Sequence, residues 1–142
     1  SEGKVQQLPV KQHRTKTTNR YFNYIYVRMG AHTLIHKRTE DDIWKNLFEL
    51  PLVETEKDLS EEEFLACPQF HALFAEGEVR MVRTLLRGVK HVLSHRVIYT
   101  NFYEVTLPDN SSSFSSYQRV AVEDLGRYAV PRLIHAFLEK YV

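Results

Sequence analysis

The first patterned run of the chain, Tyr21-Phe22-Asn23-Tyr24-Ile25-Tyr26-Val27-Arg28, is rich in aromatic and β-branched residues and predicts a strand from Arg20 onward. Gly30-Ala31-His32 reads as a turn, and Thr33-Leu34-Ile35-His36-Lys37-Arg38 as the hairpin partner of that strand. After a loop with Asp41-Asp42 comes Ile43 to Val53, which carries the single tryptophan, Trp44. Ser60-Glu61-Glu62-Glu63 is a capping box, with Ser60 capping a helix and Glu63 reaching back, and Phe64 and Leu65 forming its apolar face. Pro68 interrupts that helix and opens another short turn or helix through Phe70, Leu73 and Phe74. Residues 78–87 fit two periods: Val79, Val82, Leu85 and Leu86 have helical spacing, but an extended segment suits them too. Gly88 to Leu107 reads as two strands hinged near Ser94-His95, Asp109 to Ser113 as a turn, and Tyr117 to Val122 as a further strand. The closing helix starts at Pro131, with Leu133, Ile134, Phe137, Leu138 and Tyr141 on one face. The sum is an α+β domain, a mixed, antiparallel-rich β-sheet flanked by helices.

Composition narrows the class. A chain of 142 residues with 43% hydrophobic and 26% charged residues is one soluble globular domain with room for a real core. No run of about 18 apolar residues would span a membrane, and no secretory segment opens the chain, so a cytoplasmic location is expected. Residues 1–19 are polar, basic and aperiodic and read as a linker, with Ser1-Glu2-Gly3 a candidate cloning remnant ahead of a domain over 20–142. The absence of an initial Met suggests a piece of a longer protein. One cysteine, Cys67, excludes an internal disulfide and a cysteine-based cluster, and it reads as a small buried hydrophobe.

The net charge of +1 conceals a segregation. No acid lies between Gly3 and Thr39, where Lys4, Lys11, Arg14, Lys16, Arg20, Arg28, Lys37 and Arg38 stand, whereas residues 40–63 are strongly acidic. The basic third suits a polyanion, because phosphate neutralisation dominates nucleic-acid affinity.

The segment least like scaffolding is His91-Val92-Leu93-Ser94-His95, a hydroxyl and two imidazoles beside an apolar wedge. Hydrolase-type catalysis is rejected: no G-x-S-x-G elbow is present, and Ser94 and His95, as adjacent strand residues, would point to opposite faces. Metal binding is not expected either. His91 and His95, like His32 and His36, are four apart, which on a strand means about 13 Å. No HExxH, P-loop or G-x-G-x-x-G motif occurs. The Glu61 to Glu63 run is better read as a solvated first turn than as a magnesium site. Tyr21, Phe22, Tyr24 and Tyr26 could stack bases, although alternating spacing favours one core face and one rim.

Four stretches in order resemble the C-terminal domain of the MutY adenine DNA glycosylases. They are Arg20 to Val27; Leu34 to Arg38 followed by Ile43-Trp44-Lys45-Asn46-Leu47-Phe48-Glu49-Leu50-Pro51; His91 to His95, matching H-x-(F/L)-S-H; and Tyr128-Ala129-Val130-Pro131-Arg132-Leu133. Asn46 stands where that pattern commonly has glycine, which suggests an altered turn. The resemblance implies a nudix-like fold and a domain that reads 8-oxoguanine paired with adenine during base excision repair. It implies Leu93, Ser94 and His95 as lesion-reading residues. Lys90, His91 and Arg96 are then candidate phosphate contacts, and Lys11 to Arg20 the interdomain linker. No catalytic residue is expected in this chain. The implied partners are duplex DNA and a separate N-terminal catalytic domain that would carry a 4Fe-4S cluster; a monomer is expected.

The rival is a nudix hydrolase of oxidised nucleotides, which needs G-x5-E-x7-R-E-u-x-E-E-x-G-u, where u is bulky and apolar. Six residues beyond Gly3, Gly30, Gly77, Gly88 and Gly126 stand Pro9, His36, Arg83, Ser94 and Arg132, and no Arg-Glu pair occurs in the chain. A protein-interaction module without DNA contact remains the third reading.

Overall fold

The computed structural model describes residues 17–142, so the basic segment 1–16 lies outside the described residues. Strand β1 (Thr18–Arg28) begins two residues ahead of the predicted start. It lies at the heart of a four-stranded sheet with β4 (Leu52–Thr55), β5 (Met81–Val92) and β6 (Arg96–Thr106), in the order β4-β1-β6-β5. β1 runs parallel to β6 along its whole length, from Thr18 opposite Arg96 to Arg28 opposite Thr106. The β4–β1 and β5–β6 pairs are antiparallel.

Phe22 to Val27 are buried without interruption, because both faces of this sheet are covered. On one face Phe22, Tyr24, Tyr26, Ile98 and Phe102 pack under α3 (Arg132–Tyr141) through Leu133, Ile134 and Phe137. The Phe102 and Phe137 rings stack at 4.1 Å. On the other face Ile25, Val27, Tyr103 and Val105 pack against Phe64 of α1 (Glu61–Ala66) and Phe70 of α2 (Pro68–His71). The capping box forms as expected: Glu63 N–H donates to Ser60 Oγ, and Ser60 N–H to Glu63 Oε1. Cys67, partly buried, joins the two helices.

One strand pairing differs from expectation. β2 (His32–Lys37) follows β1 through the Gly30 turn, yet beyond the Met29–His32 bridge it leaves the sheet. It pairs with β3 (Phe48–Glu49) and β7 (Gln118–Ala121) in a second sheet of order β3-β2-β7. β6 lines one edge of β1 along its whole length and β4 the other at Tyr21–Tyr24, while β2 finds its ladders with β3 and β7. Of the ambiguous residues 78–87, those from Met81 onward form the start of β5, an edge strand whose exposed and half-buried residues mix irregularly because the register shifts twice before Val89. Gly88, at φ 70°, sits in the second shift. A short 3-10 helix (Val122–Arg127) links β7 towards α3. Among the described residues no helix is long and apolar enough to cross a membrane.

Candidate functional site at the β5–β6 hairpin

The apolar runs of β5 and β6 break at Leu93-Ser94-His95-Arg96, and the chain reverses there in a two-residue loop. Leu93 N–H donates to the Arg96 carbonyl at 2.8 Å, closing the ladder. Neither Ser94 nor His95 is among the residues of positive φ, so the turn forms without the left-handed residue that the favoured two-residue turns use. Both side chains are exposed, while Leu93 is half-buried against the α3-side core. The expected geometry is therefore corrected: Ser94 and His95 are loop residues at a tip rather than opposed residues on a strand. β1 holds the tip from the side, since Thr18 gives its N–H (3.1 Å) and its hydroxyl (3.3 Å) to the His95 carbonyl.

The flanking basic residues divide between the two faces of the sheet. Lys90 pairs with Tyr99 and His91 with Ile98, and cross-strand partners share a face. Arg96, two residues from Ile98, lies on the His91 side, whereas Lys90 lies on the opposite side. Lys90 and Arg96 are exposed, and among the described residues neither forms an ion pair. His91 is half-buried, its ring edge-on to Trp44 at 6.0 Å.

Several basic residues that look available in the sequence are engaged internally. Arg20, read as the end of the linker, sits in β1 and donates to both oxygens of Asp42 (2.8 and 2.9 Å) and both of Glu54 (2.8 and 2.9 Å). These carboxylates raise the pKa of its guanidinium further. The Arg20 hydrogen bonds hold the Asp42 carboxyl at about 2, below its ordinary value. Arg28 pairs with Glu104, and Arg38 with Glu49 and Asp42. Only part of the basic third is therefore free to meet a polyanion. Phe22, Tyr24 and Tyr26 are core residues and offer no stacking surface, and Tyr21 is half-buried against Tyr99 at 5.6 Å.

The Arg20 and Arg38 pairs, which share Asp42, build the wall behind the hairpin, whereas Arg28 and Glu104 lie towards the far end of β1. Arg38 donates to Glu49 Oε1 (2.9 Å), Asp42 Oδ2 (2.9 Å) and the Ile43 carbonyl (3.1 Å), and Tyr24 donates to the same Glu49 oxygen at 2.7 Å. Burial, with the Glu49 charge beside it, raises the Tyr24 phenol well above its ordinary range. His36 Nε2 lies 2.9 Å from Glu49 Oε2 but without hydrogen-bond geometry. Asn46, where the resembling pattern has glycine, adopts φ 74°, a left-handed position that asparagine tolerates. Thr18, Asp42 and Gly88 were not singled out as site residues, because their roles depend on partners distant in sequence.

Among the described residues no group of three or more His, Cys, Asp or Glu side chains converges as metal ligands. In α1, Glu63 is held by the cap, and Glu61 and Glu62 are exposed.

The family model for the NUDIX domain matches residues 23–140. No curated protein matches the chain significantly. Among solved structures, the C-terminal domain of mouse MUTYH, determined in complex with human PCNA, is similar with a TM-score of 0.64 at 15% identity, covering 86% of each chain. A MutT protein from Methanosarcina mazei Go1 has a TM-score of 0.56 at 17% identity, covering 89% of this chain and 95% of its own. A MutT structure from work on Aliivibrio salmonicida and Vibrio cholerae gives 0.57 at 15%, covering 87% and 96%.

Proposed function

The chain belongs to the NUDIX domain family, and from that membership we propose that it is the lesion-reading domain of a MutY-type adenine glycosylase. The observation that carries this reading is the exposed Ser94 hydroxyl, held on a hairpin tied down by Leu93 and Thr18. In 8-oxoguanine N7 bears a proton and donates, whereas N7 of guanine accepts. A serine hydroxyl accepts from the first and must turn to donate to the second. Leu93 supports the tip, His95 beside Ser94 contacts the lesion strand, and Lys90, His91 and Arg96 meet phosphates on either side. Duplex DNA containing the 8-oxoguanine:adenine pair is the partner, together with the enzyme's own catalytic domain, and the domain acts as a monomer. With one cysteine, this chain cannot supply ligands for a four-cysteine iron–sulfur cluster, which in this reading belongs to the catalytic domain.

The MutT-like neighbours raise the alternative of nucleotide hydrolysis with a divalent cation. The donor set does not fit it: the signature's spacing is missing, and the α1 carboxylates do not converge.

The test compares adenine excision opposite 8-oxoguanine with excision opposite guanine, using the full-length enzyme with Ser94 or Ser94→Ala. A single neutral hydrogen bond is worth about 1 kcal/mol, so a selective loss of roughly fivefold in the preference for 8-oxoguanine is expected. Equal rates, or equal losses on both substrates, would overturn the role of Ser94.

A further inference from the structure

We infer that Trp44 is the positioning residue of the Ser94 hairpin: an indole held in a left-handed turn fixes the tilt at which the tip leaves the sheet. The inference rests on the lesion-reading proposal for its consequence in recognition, but not for its structural content. Trp44 adopts φ 58°, a conformation that residues with a Cβ rarely take, and Asn46 two residues on adopts φ 74°. Asparagine suits the second of these positions, but nothing in the tryptophan favours the first, so its surroundings must impose it. Arg20 and Arg38 both grip Asp42, and Arg38 also binds the Ile43 carbonyl. On the far side Asn46 N–H donates to the Arg38 carbonyl at 2.6 Å, and Leu47 N–H to the Trp44 carbonyl at 3.1 Å. The turn is clamped at both ends.

The clamp delivers the ring to one place. The indole lies edge-on to Phe22 of the core at 5.9 Å and to His91 at 6.0 Å. His91 is three residues before Ser94, and beyond it only Leu93 packs against this core, while Val92 is 66% exposed. Thr18 restrains the tip from its β1 side through the His95 carbonyl. Trp44 supplies the restraint on its face. The ring acts through His91 on where Ser94 sits.

The test uses the 142-residue chain and the full-length enzyme, each as wild type, Trp44→Gly and Trp44→Phe. Glycine is at ease at φ 58° and removes the ring together with its Cβ; phenylalanine keeps the Cβ and an aromatic edge. Amide hydrogen exchange in the chain reads Leu93, whose N–H closes the hairpin, against the core amides of Tyr24 and Phe102. The expected result is at least tenfold faster exchange at Leu93 relative to the core in Trp44→Gly, and recovery towards wild type in Trp44→Phe. In the full-length enzyme, the preference for 8-oxoguanine over guanine should fall in Trp44→Gly by as much as in Ser94→Ala, and return in Trp44→Phe. Unchanged Leu93 exchange, or a loss shared equally with the core, overturns the positioning role whatever the enzyme does. Loosening of Leu93 with no change in substrate preference, in an enzyme where Ser94→Ala is also silent, keeps the positioning role and overturns the lesion-reading proposal. Loosening with an unchanged preference where Ser94→Ala is active overturns the inference that tilt governs recognition.

Discussion

Replacing Arg38 by methionine removes the donors that join the core to the wall behind the hairpin. The Arg38 side chain is 9% exposed and its partner Glu49 3%. Methionine retains an apolar stem but loses the bonds to Glu49, Asp42 and the Ile43 carbonyl. Glu49 keeps the Tyr24 hydroxyl at 2.7 Å, with His36 Nε2 2.9 Å from its other oxygen. Breaking a buried pair from one side costs about 3–5 kcal/mol, because the remaining charge is uncompensated. The surviving Tyr24 bond places the expected loss for Arg38→Met at the lower end, about 3 kcal/mol. For a domain of this size that lowers Tm by roughly 10 °C. Glu49→Gln leaves Arg38 with Asp42 and the Ile43 carbonyl, so a loss of about 1.5–2 kcal/mol is expected. The double variant should be no less stable than Arg38→Met alone, since no stranded carboxylate remains. Urea unfolding followed by emission of the single tryptophan measures all three. A loss below about 1 kcal/mol for Arg38→Met, or additive losses in the double variant, would refute the argument that this pair is buried and coupled.

Two further outcomes follow from the same region. The Asp42 carboxyl falls from 3.8 to about 2 on folding, so the stability it contributes is complete above about pH 4 and is lost as pH falls through about 2. Asp42→Asn should therefore flatten the acid limb of unfolding by about 2 kcal/mol between those values, and an acid limb parallel to wild type would count against it. Gly88 has φ 70°, and a Cβ there would meet nothing within 4 Å. Gly88→Ala should thus cost only backbone strain, about 1 kcal/mol in chemical denaturation, with β5–β6 pairing retained in amide exchange.

What could be read from the sequence divides along a physical line, between features set by neighbouring residues and features set by distant ones. The capping box at Ser60 and Glu63, the break at Pro68 and the apolar face of α3 are local, and each formed where the pattern put it. The break between Val92 and Val97 is local too, which is why the hairpin could be seen, although its loop geometry could not. The pairing of β2 is not local: adjacency in sequence suggests a hairpin with β1, but its partners are β3 and β7, the latter more than 80 residues away. Residues 78–87 were ambiguous because the register shifts between Thr84 and Val89 blur a period of two.

The charge pattern shows the same division with more consequence for function. A basic run without acids looks like a surface waiting for phosphate, yet Arg20, Arg28 and Arg38 find carboxylates between 4 and 76 positions away. A guanidinium gripping two carboxylates is already neutralised and has little left to offer a polyanion. Among the described residues of that third, Lys37 remains exposed and outside the ion pairs, and the proposed reading adds Lys90 and Arg96, on opposite faces beside the Ser94 tip, as phosphate contacts. Each phosphate-neutralising side chain contributes close to one unit to the salt dependence of binding. Removing Lys90 or Arg96 would then lessen that dependence, whereas removing Arg20 would leave it intact and unsettle the Trp44 turn instead. Under the proposed reading, Arg20 and Arg38 would act on recognition by holding the shape of the Trp44 turn, whereas Lys90 and Arg96 would act by charge.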